Sequence, residues 1–295
     1  MINRFNFYDV YGYFLPGLMF LIMLGLPIVL VTGRAPQGDL ASAVLAIGLA
    51  YVAGHILQTL AITAFPSSIK VGRGRRFPSD MILDQDNLLF SPAFKAKVAA
   101  KIRDSYGLDV TAESNQRHDA FFVCRSALIK GSTVCYGEQF EGMYSLMRGL
   151  MMAFLLGAAH NSGWALASFP GFGRSAVLAL EVGLLGGILS ELAVELFSKP
   201  GAKRLLALVS VLMVAIALLA GGYLLAGERA ITPRLYHLFA LTALTSIFFA
   251  RKCFRSYKFF TWEFAKAVYR DFLTYEKPHH PDKAETVPTD STPDP

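Results

Sequence analysis

Charged side chains are scarce in this 295-residue sequence. Asp, Glu, Lys and Arg together make up 17% of the residues, whereas soluble globular domains carry about 25%. Hydrophobic residues reach 54%, and they fall in long blocks. This composition excludes an ordinary water-soluble domain for most of the chain and predicts an integral membrane protein.

Recognisable catalytic and metal-binding motifs are also missing. The sequence contains no H-E-x-x-H, G-x-S-x-G, Walker or paired C-x-x-C pattern. Its three cysteines, Cys124, Cys135 and Cys253, lack the spacing of a zinc site, and in cytoplasmic positions they are expected to be free, reduced thiols. We therefore expect no catalytic site, no bound metal and no cofactor.

Three aspartates lie close together at Asp80, Asp84 and Asp86. A calcium loop of the EF-hand type needs glycine at its sixth position and glutamate at its twelfth. Counting from Asp84, these positions hold Leu89 and Lys95. The motif therefore fails, and the aspartates are interpreted as an exposed acidic loop.

Six apolar blocks approach the length of about 20 residues that a helix needs to cross a membrane. They run over residues 11–31, 40–63, 145 to 164–168, 175–197, 205–226 and 236–250. The first contains Pro16 and Pro27, which membrane helices tolerate. The sequence predicts an all-α membrane protein of about six transmembrane helices, and it leaves open whether the fourth and sixth blocks span fully.

Lys and Arg are distributed unequally among the loops. With both ends of the chain in the cytoplasm, the outer loops hold only Arg34, Arg174, Arg229 and Arg234. The remaining twenty-four of the 28 basic residues lie in the inner segments, as the positive-inside rule requires. We therefore predict a multi-pass protein of the inner (plasma) membrane with both termini cytoplasmic.

These blocks divide the chain into five parts. They are an N-terminal transmembrane hairpin (1–63), a cytoplasmic helical domain (64–144), four further transmembrane helices (145–250), a cytoplasmic aromatic and basic helix (251–277) and a disordered tail (278–295). Ser91 and Gly107 are expected to cap one helix of the cytoplasmic domain, and a second is expected from about Ala112 to Lys130. The C-terminal helix is expected to pack, either on this domain or on another subunit. The alternative is a position in the membrane interface.

A basic stretch from Lys70 to Arg76 follows the second block and is expected to be a loop. Arg73, Arg75 and Arg76 are candidates for binding anionic lipid headgroups. Such residues at the inner ends of spans explain the net charge of +6, and no specific nucleic-acid binding is expected. Arg148, at the inner end of the third block, is expected to pair with a glutamate of the fourth block or with lipid phosphate.

The fourth block carries three carboxylates, Glu181, Glu191 and Glu195. Gly183 and Gly187 lie on the same stripe as the last two and would let another helix approach closely. A carboxylate facing lipid is costly, so the block predicts an ion path, a proton relay or a pairing between helices. The alternative, favoured for Glu191 and Glu195, is a position at the inner interface. For Glu181 a buried role and the outer interface are weighted equally.

The second block presents two distinct faces. Ala46, Ala50 and Gly54 form a stripe of small residues that predicts close helix packing. His55 and Gln58 are intramembrane polar residues on another face. Hydrogen-bonded packing is favoured for His55 over titration or metal binding.

Three short stretches are distinctive: FNFYDVYGYFLPG at Phe5–Gly17, YVAGHILQ at Tyr51–Gln58 and FAKAVYRDFL at Phe264–Leu273. With them the chain resembles a group of uncharacterised bacterial inner-membrane proteins of about this size. The resemblance touches both ends of the chain and supplies no catalytic residues. Proteins of this kind sometimes accompany phage-defence or stress systems, so the resemblance implies a bacterial membrane component associated with such a system.

Two functional hypotheses follow from these features. The first is a non-enzymatic, membrane-anchored partner-binding or effector subunit that acts as a homo-oligomer or with a cytoplasmic protein. The second is an ion channel or small-solute transporter that uses the carboxylates of the fourth block. An intramembrane enzyme is less supported, because the sequence shows no recognisable nucleophile or metal set.

Overall fold

The computed structural model describes the chain in eight segments, and the structural statements below concern these residues. They are residues 8–34, 38–66, 69–71, 74–84, 86–110, 114–131, 136–168 and 234–275. Helix dominates them. Three helical stretches are long and apolar enough to cross a membrane: Asp9–Thr32, Leu40–Ala64 and Tyr136–Ala165. The prediction of a helical membrane protein is thereby confirmed at the level of fold class and of three candidate spans.

Seven helices and two strands follow one another in these segments. The helices are α1 (Leu15–Thr32), preceded by a π-helical segment (Asp9–Phe14), α2 (Leu40–Ala64), α3 (Pro78–Met81), α4 (Pro92–Tyr106), α5 (Ser114–Lys130), α6 (Tyr136–Ala167) and α7 (Arg234–Thr274). The strands are β1 (Ile69–Val71) and β2 (Gly74–Arg76). The first three apolar blocks coincide with α1, α2 and α6, and the sixth lies within α7. The fourth and fifth fall outside the described residues.

Helix ends follow local signals in the sequence. α4 begins after Ser91, whose side-chain oxygen accepts a hydrogen bond from the Phe94 backbone N–H at 3.2 Å, and it ends at Gly107, where φ is 69°. α2 begins in the same way at Asp39, which accepts from the Ser42 N–H at 2.7 Å. These side chains satisfy backbone donors that the first turn of a helix leaves unpaired. The caps predicted for the helix over 92–106 are therefore confirmed.

The helices α1, α2, α6 and the first half of α7 form a bundle. The first two meet backbone to backbone at Gly17 and Gly54. A methyl group added to Gly17 would lie 1.8 Å from the carbonyl oxygen of Ala50, and one added to Gly54 would lie 1.8 Å from that of Tyr13. Only glycine allows so close an approach. On the other side of the bundle, α6 packs along α7 through buried apolar side chains such as Phe154.

A small helical module adjoins the bundle, made of α3, α4, α5 and the last third of α7 (residues 261–275). Its core contains Val98, Ile102, Cys124, Leu128, Tyr269 and Phe272. The buried Tyr269 hydroxyl donates to the Ser79 carbonyl at 3.2 Å, and Lys101 Nζ donates to the Leu273 carbonyl at 3.0 Å. The end of α7 thus packs on α4 and α5, and α7 continues without a break through the predicted boundary between residues 250 and 251.

Two local expectations are wrong. The basic stretch forms a short antiparallel hairpin rather than a loop, with Lys70 opposite Arg75. The aspartates are not an exposed acidic loop, because Asp80 is only 6% exposed and Asp84 is bound by two arginine side chains. Of the three, Asp86 alone is exposed.

Candidate functional site

The structure places only part of the predicted site. Glu181, Gly183, Gly187, Glu191, Glu195 and Arg73 lie outside the described residues. Arg75 belongs to β2 at the start of the module. The hypothesis of an ion path along the fourth block therefore stays a prediction, and the described polar groups are considered by themselves.

A buried pair of polar side chains joins α2 to α6 and to the π-helical segment. Gln58, which is 3% exposed, donates through Nε2 to the carbonyl oxygens of Gly12 and Ser145, both at 2.6 Å. Its Oε1 accepts a hydrogen bond from Nε of Arg148 at 3.2 Å, and Arg148 is 5% exposed. We call Gln58 and Arg148 the polar node. Each polar end of the buried amide has a partner, as stable interiors require.

Aromatic rings complete the surroundings of Arg148. Its guanidinium carbon lies 5.5 Å from the ring centre of Tyr144 and 6.0 Å from that of Tyr257. Cation–π attraction stabilises a positive charge that is removed from water. No carboxylate of the described residues lies within salt-bridge distance of Arg148. Among the described residues, Gln58 and two tyrosines are the neighbours of Arg148; its pairing with a glutamate of the fourth block or with lipid phosphate stays a prediction.

His55 lies apart from the polar node. Its exposed ring stacks on Tyr13 at 3.7 Å between ring centres and meets Tyr51 edge-on at 4.7 Å. No group of three or more His, Cys, Asp or Glu side chains able to hold a metal occurs among the described residues. The contacts of His55 are therefore those of an aromatic surface cluster.

The stripe of small residues on α2 is only partly a packing surface. Ala50 and Gly54 are buried against α1 and its π-helical segment, as predicted. Ala46 is exposed, which corrects its assignment to the packed face. The reason is that residues 40–49 of α2 are exposed on all sides of the helix.

An ion-pair cluster in the module was not predicted. Asp84 accepts from Nη1 and Nη2 of Arg76 at 2.9 and 3.1 Å and also contacts Arg117. Asp80 pairs with Nδ1 of His118 at 3.2 Å. Arg76 is thus paired within the protein, and its predicted contact with a lipid headgroup stays a prediction. The local sequence shows the aspartates together, but two of their partners, Arg117 and His118, come from α5.

A cavity of about 310 Å³ opens between α3, α5, α6 and α7. Its aromatic lining comprises Phe77, Phe121, Phe122, Tyr144 and Phe264. Polar side chains join them, among them His118, Arg125 and Glu141. Nη2 of Arg125 donates to both carboxylate oxygens of Glu141, at 2.8 and 2.7 Å. Sequence reasoning missed this cavity because its walls come from four separate stretches of chain.

Cys124 is an inert thiol in the folded protein. It is fully buried in the module core, and burial raises the pKa of its thiol from 9.0 to about 12. The thiol therefore stays neutral in the folded protein at pH values where the unfolded chain ionises it. Its contribution to stability is complete below pH 9.0 and is lost as the pH rises toward 12.

We expect Cys124 to resist maleimide near neutral pH in a variant with Cys135→Ser and Cys253→Ser, which leaves it as the single thiol. Labelling should become fast once denaturant opens the module, because only the accessible thiolate reacts. Mass spectrometry of time points measures both rates. Equal labelling rates before and after denaturation would contradict the buried position.

Comparisons with known proteins give no matching family model, no similar curated protein and no similar solved structure. The described residues contain three candidate spans, the polar node in the bundle and the aromatic cavity between the module and α6.

Proposed function

We propose that this chain is a non-enzymatic, membrane-anchored partner-binding subunit of a bacterial inner membrane. The observation that carries the proposal is the continuity of two helices. α6 begins beside the module, where Glu141 binds Arg125, and continues into the bundle, whereas α7 leaves the bundle and continues into the module. Two rigid helices, rather than a flexible linker, therefore hold the module against the bundle. This construction suits a protein that presents a binding surface in a fixed orientation beside a membrane.

The proposed membrane arrangement has six spans, a cytoplasmic module and both termini in the cytoplasm. The three candidate spans and the distribution of Lys and Arg support it. Arg73 and Arg75 are the proposed headgroup contacts at the inner surface. A bacterial phage-defence or stress system is the proposed setting.

A phosphatase reporter that works only outside the cytoplasm tests this arrangement. Fused after Pro295 it should be inactive, because the positive-inside rule keeps that end in the cytoplasm. Fused to a chain that stops after Gly38, in the proposed first outer loop, it should be active. Enzyme activity in intact cells, normalised to the amount of fusion protein, is the measurement. Strong activity after Pro295 would overturn the arrangement.

The outer face of α5 supplies a surface for a partner. Phe122 and Ile129 are 49% and 50% exposed, and Ser126 between them is exposed as well. These three residues share one side of the helix, because positions i, i+4 and i+7 lie on the same face. Apolar side chains at this spacing are the anchors by which a helix binds a groove of another protein. The stripe therefore supports binding to a second copy of the chain or to a cytoplasmic protein.

The variant Ile129→Asp tests the stripe by placing a carboxylate in it. We expect about a tenfold loss of the bound partner, because charge at the centre of an apolar contact is poorly tolerated. Cross-linking in intact bacteria, extraction in mild detergent and quantitative mass spectrometry measure the loss. Ser105→Asp, the same new side chain at an exposed site of α4, is the control. If both variants keep the partners and oligomeric size of the parent, the stripe is not the binding surface.

A channel or small-solute transporter is the second candidate function. The buried charge of Arg148 inside the bundle is the described feature that favours it, since buried charges in membrane helices often mark ion or substrate paths. Its proposed carboxylates are Glu181, Glu191 and Glu195. Ion leak through liposomes that contain the purified protein separates the two candidates: the partner-binding proposal expects tight vesicles.

A further inference from the structure

The cavity between α3, α5, α6 and α7 is walled by flat rings. Tyr144 and Phe264 lie 5.6 Å apart between ring centres. His118 lies between Phe77 at 5.4 Å and Phe122 at 4.9 Å. The volume of about 310 Å³ is near the lower end of the ~300–1,000 Å³ range of ligand pockets. Walls and volume together suit a flat molecule of one or two rings.

The polar groups in the wall show what the edge of such a molecule would meet. Nδ1 of His118 is engaged by the Asp80 carboxylate. Because a carboxylate only accepts, Nδ1 is assigned the proton, and Nε2 of the neutral ring is then an acceptor. Arg125 uses Nη2 for Glu141, and within the described residues its Nε and Nη1 donors remain for another acceptor. The wall therefore offers both an acceptor and donors.

The charge balance of the wall favours an uncharged ligand. Arg125 and Glu141 neutralise each other at 2.7 Å, and the Asp80 carboxylate that accepts from His118 does not line the cavity. A cationic ligand attracted by the carboxylate of Glu141 would be repelled by the guanidinium of Arg125 beside it. An anionic ligand attracted by Arg125 would be repelled by Glu141. A neutral molecule avoids both repulsions.

We propose that this cavity is a binding site for an uncharged, planar heteroaromatic molecule. Its face lies against Phe264 and Phe122, an acceptor on its edge binds Arg125, and a donor on its edge binds Nε2 of His118. The site shares Phe122 with the partner surface, whereas Ile129, the other apolar anchor of that surface, does not line the cavity.

The cavity also contacts the polar node of the bundle. Tyr144 belongs to the wall, and the guanidinium carbon of Arg148 lies 5.5 Å from the centre of its ring. Arg148 in turn donates to Gln58 of α2. A ligand that shifts the Tyr144 ring would therefore change the surroundings of the buried Arg148 charge. We expect ligand binding to raise the unfolding temperature of the bundle.

Adenine is a suitable probe, because it is neutral, planar and carries both donors and acceptors on its edge. Benzoate and benzyltrimethylammonium are aromatic comparators with a negative and a positive charge, respectively. We expect isothermal titration calorimetry on the full-length protein in detergent to show saturable binding of adenine alone. Phe264→Leu and Phe122→Leu should each weaken it about tenfold, since each removes one stacking face. Phe94→Leu, an aromatic of the same module outside the cavity, should leave it unchanged.

Three outcomes would overturn the proposal. One is an adenine dissociation constant weaker than about 10 mM. Another is tighter binding of either charged comparator, which would make this a site for ions. The third is unchanged adenine binding in both variants. Phe122 is half exposed, so Phe122→Leu keeps the fold even if Phe264→Leu does not. Partner capture by Ile129→Asp is measured separately, so either proposal can fail alone.

Discussion

Replacing Gln58 by leucine is expected to lower the stability of the bundle by about 3 kcal/mol. The change leaves Nε of buried Arg148 without its acceptor and the Gly12 and Ser145 carbonyls without the donor that binds both. A buried group that loses its partner costs ~1–3 kcal/mol, and more when it is charged. Thermal unfolding in detergent micelles measures the effect, which corresponds to a fall of about 5–10 °C.

Two companion variants show whether the polar node is responsible. Thr63→Val changes an exposed side chain of the same helix, whose hydroxyl bonds only within α2, and should have little effect. Gln58→Leu combined with Arg148→Met removes both partners and should recover part of the loss, because an apolar pair leaves no buried charge. If the double variant is no more stable than Gln58→Leu, the node is not a coupled pair.

Adding a single methyl group at Gly54 is expected to disrupt the contact between α1 and α2. The new carbon would lie 1.8 Å from the Tyr13 carbonyl oxygen, so the two backbones must separate. Overpacking costs ~1–3 kcal/mol where side chains can move aside. Here the added carbon meets a carbonyl oxygen of the helical backbone, which cannot move aside on its own. We expect Gly54→Ala to lose about 3 kcal/mol, measured as a lower midpoint of thermal unfolding in detergent.

The same helix contains a matched control for this change. An added methyl group at Gly48 meets no atom within 4 Å. Gly48→Ala should therefore be neutral or stabilise α2 by up to about 1 kcal/mol, because alanine favours helix over glycine. Equal losses in the two variants would show that helix propensity, and not the close approach of α1, determines the effect.

Local features of the structure were predictable from the sequence, and contacts between distant segments were not. Ser91 and Gly107 cap α4 as predicted because capping depends on neighbouring residues alone. Gln58 and Arg148 were each recognised as notable, but nothing near either residue indicates that they meet. The structure places an amide and two aromatic rings beside Arg148, while the glutamates predicted to pair with it lie outside the described residues.

The surroundings of the acidic residues and the cavity were also not predictable from the sequence, because both depend on contacts between distant segments. Asp80 and Asp84 looked exposed because three carboxylates stood together, while His118 and Arg117, which bind them, lie on α5. The aromatic residues of the cavity are scattered over four helices, and their spacing within each helix resembles that of ordinary core residues. Only the packing of α5, α6 and α7 brings them to one place.

Because the module core includes residues from the end of α7, it cannot be completed until this late part of the chain has been synthesised. Val98 and Cys124 leave the ribosome early, whereas Tyr269 and Phe272, which complete the same core, are among the later residues to appear. Until then α4 and α5 have apolar faces with no partner, and such a nascent chain is a target for chaperones and proteases. A product truncated before residue 265 would stay in that condition. The module therefore becomes complete only on chains whose synthesis has passed Tyr269 and Phe272, near the end of the last described helix.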